Sequence, residues 1–216
     1  MARRDRTGNR KTREQRIVRR VPEMGYYLIV TDTEATESNF FNGLKADLPE
    51  DSKGKLVIKV TETKTQNLIQ KCQQLVAYEV QYRIPWIVFD RDRVPNFDQI
   101  IKEAENKGIN VGWSNPCFEI WMFAYFGRMP NISESLTCCA RFGKLYKKET
   151  RQDYSKADIH LYKRLYDHGD EKKAIEIAVR KYEQHLRENK TDPSQMCPAT
   201  TVHKLVSEIR GKVHNL

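Results

Sequence analysis

Acidic residues follow strand-like apolar runs in this chain, and carboxylates placed in this way can bind divalent cations. The acids occur after the runs 26–31 and 84–89: Asp32, Glu34 and Glu37 after the first, Asp90 and Asp92 after the second. The carboxyl ends of parallel strands are where an open α/β sheet binds ligands and metals. Carboxylates gathered there from separate segments would repel one another unless a cation neutralised them. The pattern therefore indicates a metal site. Because the chain is basic, an anionic substrate such as a nucleic acid is expected, and the metal would then serve phosphodiester chemistry.

The segment Asp90-Arg91-Asp92 is the sharpest local signal. In an extended segment, residues i and i+2 point to the same side, so both carboxylates could face one cation while Arg91 points away. A solvated surface loop whose charges pair locally is the alternative. Glu34 and Glu37 also have a structural explanation, because acids near a helix N-terminus complement the helix dipole and cap free N–H groups.

A further acid, Glu119, lies inside the otherwise apolar stretch 116–126. We predict that Pro116 occupies the first position of a helix with Asn115 as its cap, which places Glu119 beyond the reach of a capping box. An acid inside a buried helix needs a compensating partner. A metal ion is one candidate for that partner, and a structural salt bridge is the other.

The positive charge of the chain is concentrated at its N-terminus. Residues 1–20 contain nine Arg or Lys and two acids, which gives +7 of the net charge of +9. A segment this basic and this poor in apolar residues is expected to be disordered when free. It could bind a phosphate backbone, and a solubilising role is the alternative. The residues predicted to contact nucleic acid are Arg10, Lys11, Arg13, Arg16, Arg19 and Arg20.

Composition excludes several other classes of protein. The longest apolar run, 120–126, is too short to span a bilayer, and no apolar segment follows the basic N-terminus as a secretory signal requires. The five cysteines show no CxxC spacing, which favours reduced thiols in a cytoplasm. No Walker-type phosphate loop is present, so the chain itself is not expected to hydrolyse ATP. We therefore expect a cytoplasmic protein without a membrane partner.

The acids require elements that bring them to one place. Strands are predicted at 26–31, 56–60, 84–89 and 109–113, and helices between them at 36–48, 67–80 and 97–107. This alternation predicts an α/β fold with a mostly parallel four-stranded sheet. A helical C-terminal part is expected from about residue 150, with helices near 156–168, 170–188 and 201–212. We divide the chain into a basic tail, 1–22, and one domain, 23–216.

Ordered sequence blocks over nearly the whole chain resemble the RloB-like proteins, a bacterial branch of the TOPRIM superfamily close to the OLD-family nucleases. The blocks are Tyr27 to Phe41, which covers the opening strand and its turn, Trp86 to Asp92, Ser114-Asn-Pro-Cys-Phe-Glu-Ile-Trp121, Tyr154-Ser-Lys156 and Pro198-Ala-Thr-Thr-Val202. The resemblance implies a Rossmann-like TOPRIM core. It also implies an endonuclease that depends on Mg2+ or Mn2+, with two ions in its site.

The same resemblance assigns roles to individual residues. The implied metal ligands are Asp32, Glu37, Asp90, Asp92 and Glu119. Asp92 and Glu119 are also implied to be catalytic, and Lys156 would stabilise charge that develops at the phosphate. Beyond the site, the resemblance implies the effector of a bacterial antiphage, abortive-infection system that works with an ABC/AAA-type ATPase. Related TOPRIM effectors favour RNA such as tRNA over DNA as the substrate.

One position supports a different hypothesis. The family's leading Glu-Gly is Asp32-Thr33 here, and Asp reaches one methylene less than Glu. The alternative is therefore a catalytically degenerate TOPRIM protein that binds nucleic acid or regulates an ATPase partner. A primase-like or topoisomerase-like accessory protein is a third hypothesis, which the short length of the chain disfavours. Association with a second copy of the chain stays open.

Overall fold

A computed structural model describes residues 22–32, 35–78, 83–92 and 94–214. Several positions named above lie outside these residues. They are Thr33, Glu34 and the six basic residues of the tail predicted to contact nucleic acid, Arg10, Lys11, Arg13, Arg16, Arg19 and Arg20.

The described part is built on a mostly parallel sheet with the strand order β2-β1-β3-β4-β5. The strands are β1 Gly25–Thr31, β2 Leu56–Glu62, β3 Arg83–Asp90, β4 Asn110–Asn115 and β5 Ala199–Thr200. The first four are parallel, and β5 pairs antiparallel with β4 at the edge. The predicted α/β class is confirmed, and the arrangement is Rossmann-like. The fifth strand was not predicted, because its two residues are too few to leave an apolar pattern.

Helices cover the sheet and form the C-terminal part of the chain. They are α1 Ala35–Ala46, α2 Glu50–Lys53, α3 Leu68–Tyr78, α4 Phe97–Asn106, α5 Glu119–Tyr125, α6 Ser135–Thr150, α7 Leu161–His168, α8 Glu171–Arg187 and α9 Val202–His214. Two short 3-10 turns, Thr65–Asn67 and Pro193–Gln195, follow β2 and α8. The predicted helical C-terminal part is confirmed, but it begins earlier than expected because α6 was not predicted.

Both faces of the sheet are buried, and β1 shows how the sequence achieves this. Tyr27 and Ile29 pack into one core with α1, α5 and α9. Leu28 and Val30 pack into a second core with α3 and α4. Because successive strand residues point to opposite faces, a strand covered on both sides is an uninterrupted apolar run. Because helices cover both faces of the sheet, a ligand can reach the strands at their carboxyl ends.

A partly buried polar network joins four of these helices. Glu171 accepts hydrogen bonds from the hydroxyls of Tyr125 at 2.9 Å and Tyr162 at 2.8 Å. Arg210 donates to Glu171 at 2.6 Å and to Asp47 at 2.8 Å. Glu171 and Arg210 therefore each have several partners, as a polar network in a protein interior requires. The network holds α5, α7, α8 and α9 in one arrangement.

Within the described ranges, no helix combines the length and the apolar character that a membrane crossing needs.

Candidate metal-binding and catalytic site

Three of the predicted metal ligands line one cavity of about 500 Å3 at the carboxyl edge of the sheet. Asp32 directly follows β1, Asp90 ends β3 and Asp92 lies in the turn after it. The remaining lining residues come from the turn after β2 and from the start of α4: Thr65, Gln66, Val94, Pro95, Asn96 and Ile100. The structure thus brings together the acids that follow two separate strands.

Asp32 is held between two strands. Its backbone N–H donates to the carbonyl of Val88 in β3 at 3.1 Å. Its Oδ2 accepts a hydrogen bond from the hydroxyl of Thr65, which follows β2. Thr65 was missed by sequence reasoning, since a lone threonine in a turn has no pattern that marks it.

The Asp90–Asp92 segment is a turn. The N–H of Arg91 donates to the carbonyl of Ser114, and the N–H of Asp92 donates to the carbonyl of Pro116, both at 2.9 Å. Asp92 has a φ of +20°. The expectation that an extended backbone places both acids on the same side is therefore wrong, because the chain turns to follow the end of β4. Both carboxylates nevertheless face the same cavity.

The cavity suits a hard divalent cation. Carboxylate oxygens are the donors that Mg2+ and Mn2+ prefer. Among the described residues, the oxygens of Asp32, Asp90 and Asp92 do not form a group in which all lie within 4.8 Å of one another. Mg2+ commonly uses one or two carboxylates and keeps several waters, so an ion held here by all three acids would need waters or side-chain movement to complete its ligand set.

Glu119 occupies a different helical position from the predicted one. Asn115 belongs to β4, where it pairs with Ala199 of β5 and donates through Nδ2 to the carbonyl of Pro193 at 3.1 Å. The strand therefore continues to Asn115, and Pro116 follows it through a cis peptide bond. Glu119 is the first residue of α5, so the argument that placed it beyond a capping box was wrong. A carboxylate at this position complements the helix dipole.

The Glu119 carboxylate is enclosed but has partners. Its residue is 1% exposed, and its Oε1 accepts a hydrogen bond from the Tyr154 hydroxyl at 2.8 Å. Lys156 Nζ lies 4.0 Å from the same oxygen, and the Lys156 side chain is 43% exposed. The backbone carbonyl of Lys156 accepts from Asn39 in α1 at 3.2 Å. Burial, followed by the charge of Glu119, raises the pKa of Tyr154, so this tyrosine stays a donor.

The predicted residues fall into two neighbouring groups. Among the described residues, neither Glu37 nor Glu119 lines the acidic cavity. Glu37 is buried in the first turn of α1, where an acid also complements the dipole. Glu119 and Lys156 form the second group, and Phe118 joins it to the cavity because its N–H donates to Asp90 Oδ2 at 3.3 Å. Tyr154, which belongs to a sequence block noted above, was not given a role from the sequence.

Two cysteines also surround Glu119. The sulfur atoms of Cys117 and Cys139 are 3.9 Å apart, and both lie within 4.8 Å of a Glu119 carboxylate oxygen. A hydrogen bond with Cys138, together with burial and the charge of Glu119, raises the pKa of Cys117. The sequence did not indicate this cluster, because Cys117 and Cys139 come from distant segments and form no CxxC pair.

Comparison with known proteins identifies the family. A family model described as RloB-like protein matches residues 27–209, from β1 into α9, and this range includes both groups of site residues. The comparisons with curated proteins and with solved structures returned no match. Since the family match covers most of the chain, this chain belongs to the RloB-like protein family.

Proposed function

We propose that the chain is a metal-dependent nuclease that cleaves phosphodiester bonds in nucleic acid. The observation that carries this proposal is the convergence of Asp32, Asp90 and Asp92 on one cavity at the carboxyl edge of the sheet. The neighbouring Glu119 and Lys156 add a buried acid and a half-exposed amine. These carboxylates would repel a negatively charged substrate, and one amine is too little to offset them, so the substrate can bind only when a cation is also bound.

Asp32, Asp90 and Asp92 would hold the cation, and their hard oxygen donors suit Mg2+ or Mn2+. When bound, such an ion supplies Lewis-acid chemistry, which lowers the pKa of water and offsets charge on a phosphate oxygen. Glu119 is held next to this site, because the preceding residue, Phe118, donates its backbone N–H to the Asp90 carboxylate. Glu37, buried in α1, is a further proposed ligand.

We assign the direct contact with the phosphate to Lys156. Its side chain is 43% exposed, so the amine can move from Glu119 towards a bound substrate. A fixed positive charge near the reacting phosphate stabilises charge that develops there. Tyr154 holds Glu119 in position through its hydroxyl.

The substrate and the biological role extend the proposal. On the resemblance to TOPRIM effectors, we place RNA such as tRNA ahead of DNA and an ABC/AAA-type ATPase as the partner protein, within bacterial antiphage defence. The basic tail, whose arginines and lysines lie outside the described residues, would add a phosphate-binding segment.

The test is cleavage of labelled tRNA, single-stranded RNA and plasmid DNA by the purified full chain, with Mn2+, with Mg2+ and with chelator. Asp92→Asn should abolish cutting. Asp153→Asn is the matched control, because Asp153 is 83% exposed and forms a surface ion pair with Lys147. Cutting by Asp92→Asn at the wild-type rate would overturn the assigned site.

A degenerate binding protein is the second candidate, and two observations favour it. The Asp32 carboxylate is already engaged by Thr65, and the three cavity acids are spread rather than clustered within the described part. This candidate predicts no cutting of any substrate and no binding of Mg2+ or Mn2+. Cutting that begins when the ATPase partner is added would instead support a silent effector.

A further inference from the structure

A group of three metal-ligating side chains lies next to the acidic cavity, and its donors differ from those of the cavity. Cys117 lies just before α5, Cys139 lies in α6, and Glu119 is between them in space. One donor atom from each of the three lies within 4.8 Å of the other two. We propose that Cys117, Cys139 and Glu119 bind a thiophilic divalent cation, and that Zn2+ is the ion they fit best.

The sulfur positions match a zinc site. A Zn–S distance of about 2.3 Å and a tetrahedral angle place two sulfur ligands roughly 3.8 Å apart. The sulfur atoms of Cys117 and Cys139 are 3.9 Å apart. A disulfide needs its sulfur atoms at about 2.0 Å. The observed spacing is that of a thiol–thiol hydrogen bond and also the one that two ligands of one ion require, so an ion can enter with little movement of either residue.

The donor types agree with the spacing. Thiolates select Zn2+ over Mg2+, and a Glu carboxylate oxygen is among the ligands that Zn2+ accepts. Cys117 is 2% exposed and Glu119 is 1% exposed, so the site excludes most water. Three protein ligands leave the fourth tetrahedral position open to water or another small ligand.

The charge of the cluster also permits the ion. Binding requires both thiols to lose a proton, so two protons leave as the dication enters. The total charge of the cluster is then unchanged, and the buried carboxylate gains a second positive partner besides Lys156, whose amine is 4.0 Å away. Tyr154 donates to Glu119 at 2.8 Å and would orient the carboxylate, as groups around metal ligands generally do.

The test is titration of the purified, reduced full chain with Co2+, followed by displacement with Zn2+. Cobalt bound to thiolate gives a charge-transfer absorption in the near ultraviolet that oxygen ligands do not give. We expect this absorption in the wild type, its loss on Zn2+ addition, and its loss in Cys117→Ser and in Cys139→Ser. Cys197→Ser is the matched control, since Cys197 is also partly buried but belongs to a different loop, where its thiol donates to the carbonyl of Ile132.

Two outcomes would overturn the inference. The first is a wild-type protein without the thiolate absorption, and the second is a Cys139→Ser variant that keeps it in full. Circular dichroism separates loss of binding from loss of folding, and Cys139 is partly exposed, so its serine variant is the safer of the two. The inference does not rest on nuclease activity, because the titration contains no nucleic acid.

Discussion

The carboxylate of Asp90 accepts a hydrogen bond from the backbone N–H of Phe118, with 3.3 Å between Oδ2 and N. Asp90 ends β3 and Phe118 directly precedes α5, so this bond joins the acidic cavity to the helix that carries Glu119. The N–H of Asp92 strengthens the same junction by donating to the carbonyl of Pro116 at 2.9 Å. The two groups of candidate site residues are therefore positioned by one backbone junction.

Metal binding in the acidic cavity should raise the stability of the folded protein. We expect Mn2+ to raise the thermal unfolding midpoint of the wild type and to raise that of Asp92→Asn much less. A ligand present at a hundredfold excess over its Kd adds about 2.7 kcal/mol when it binds only the folded state. Asp92 is exposed, so its amide variant leaves the core intact. Unfolding followed by circular dichroism with Mn2+ and with chelator measures the shift.

The control for this measurement is Asp153→Asn, which removes an exposed carboxylate elsewhere. It should keep the full Mn2+ shift. Equal shifts in the wild type and in Asp92→Asn would contradict the role of Asp92 as a ligand, whatever the cleavage assays show.

The hydroxyl of Tyr154 should contribute to stability through Glu119. Tyr154→Phe removes the donor at 2.8 Å from a carboxylate that is 1% exposed. We expect the free energy of unfolding to fall by about 1 to 3 kcal/mol, measured by urea denaturation near neutral pH. Tyr166→Phe is the control, because Tyr166 is 47% exposed and water can replace any partner that its hydroxyl loses. Similar losses for the two variants would show that the hydroxyl of Tyr154 has no special role.

The strands that carry the acids could be predicted from the sequence. Because both faces of the sheet are buried, β1 and β3 are uninterrupted apolar runs, and their ends mark where Asp32 and Asp90 emerge. That local signal was enough to place Asp32 and Asp90 on one edge. The sequence could not show the turn that brings Asp92 to the cavity, because that turn depends on hydrogen bonds to Ser114 and Pro116.

The residues that contact Glu119 could not be predicted from the local sequence pattern. Tyr154 and Cys139 reach it from segments that follow α5 in the chain, and contacts between distant segments leave no periodic pattern. The helix α6 itself does carry a signal, since Cys138, Phe142 and Tyr146 recur at helical spacing and are buried. Basic and polar residues between them lower the mean hydropathy of the segment, which is why the helix was missed.

Close packing between α1 and α7 should make one glycine hard to replace. A Cβ at Gly43 would overlap the Cβ of Tyr162 and lie 3.2 Å from its Cγ. We expect Gly43→Ala to lower the free energy of unfolding by about 1 to 3 kcal/mol, since the two helices must separate to admit the methyl group. Gly211→Ala in α9 is the control, because no atom lies within 4 Å of the added Cβ.

If this packing is correct, urea denaturation should show that the free energy of unfolding falls in Gly43→Ala and rises in Gly211→Ala. Alanine at an unobstructed helix position should stabilise by roughly 0.5 to 1 kcal/mol. A Gly43→Ala variant as stable as Gly211→Ala would mean that α1 and α7 do not pack as closely as the structure has them.

His203 should make stability depend on pH in a defined window. It is 5% exposed, its Nδ1 donates to the carbonyl of Thr200 at 2.9 Å, and burial lowers its pKa to about 4. The unfolded chain takes up this proton near the ordinary pKa of about 6.5. The unfolded state therefore binds more protons between these two values, so the free energy of unfolding falls as the pH falls through this window and is unaffected above it.

The size of the effect follows from the two pKa values. Because of this residue, the free energy of unfolding of the wild type should be about 2 kcal/mol lower at about pH 5 than at about pH 7.5. In His203→Gln, which cannot titrate at this position, the fall in the free energy of unfolding between the two pH values should be smaller by about that amount. His160 is exposed, so the fall in His160→Gln should equal that of the wild type. Urea denaturation at the two pH values measures both differences. An identical fall in the wild type and in His203→Gln would mean that the folded protein already admits the proton, and that burial at the start of α9 does not keep the His203 ring neutral.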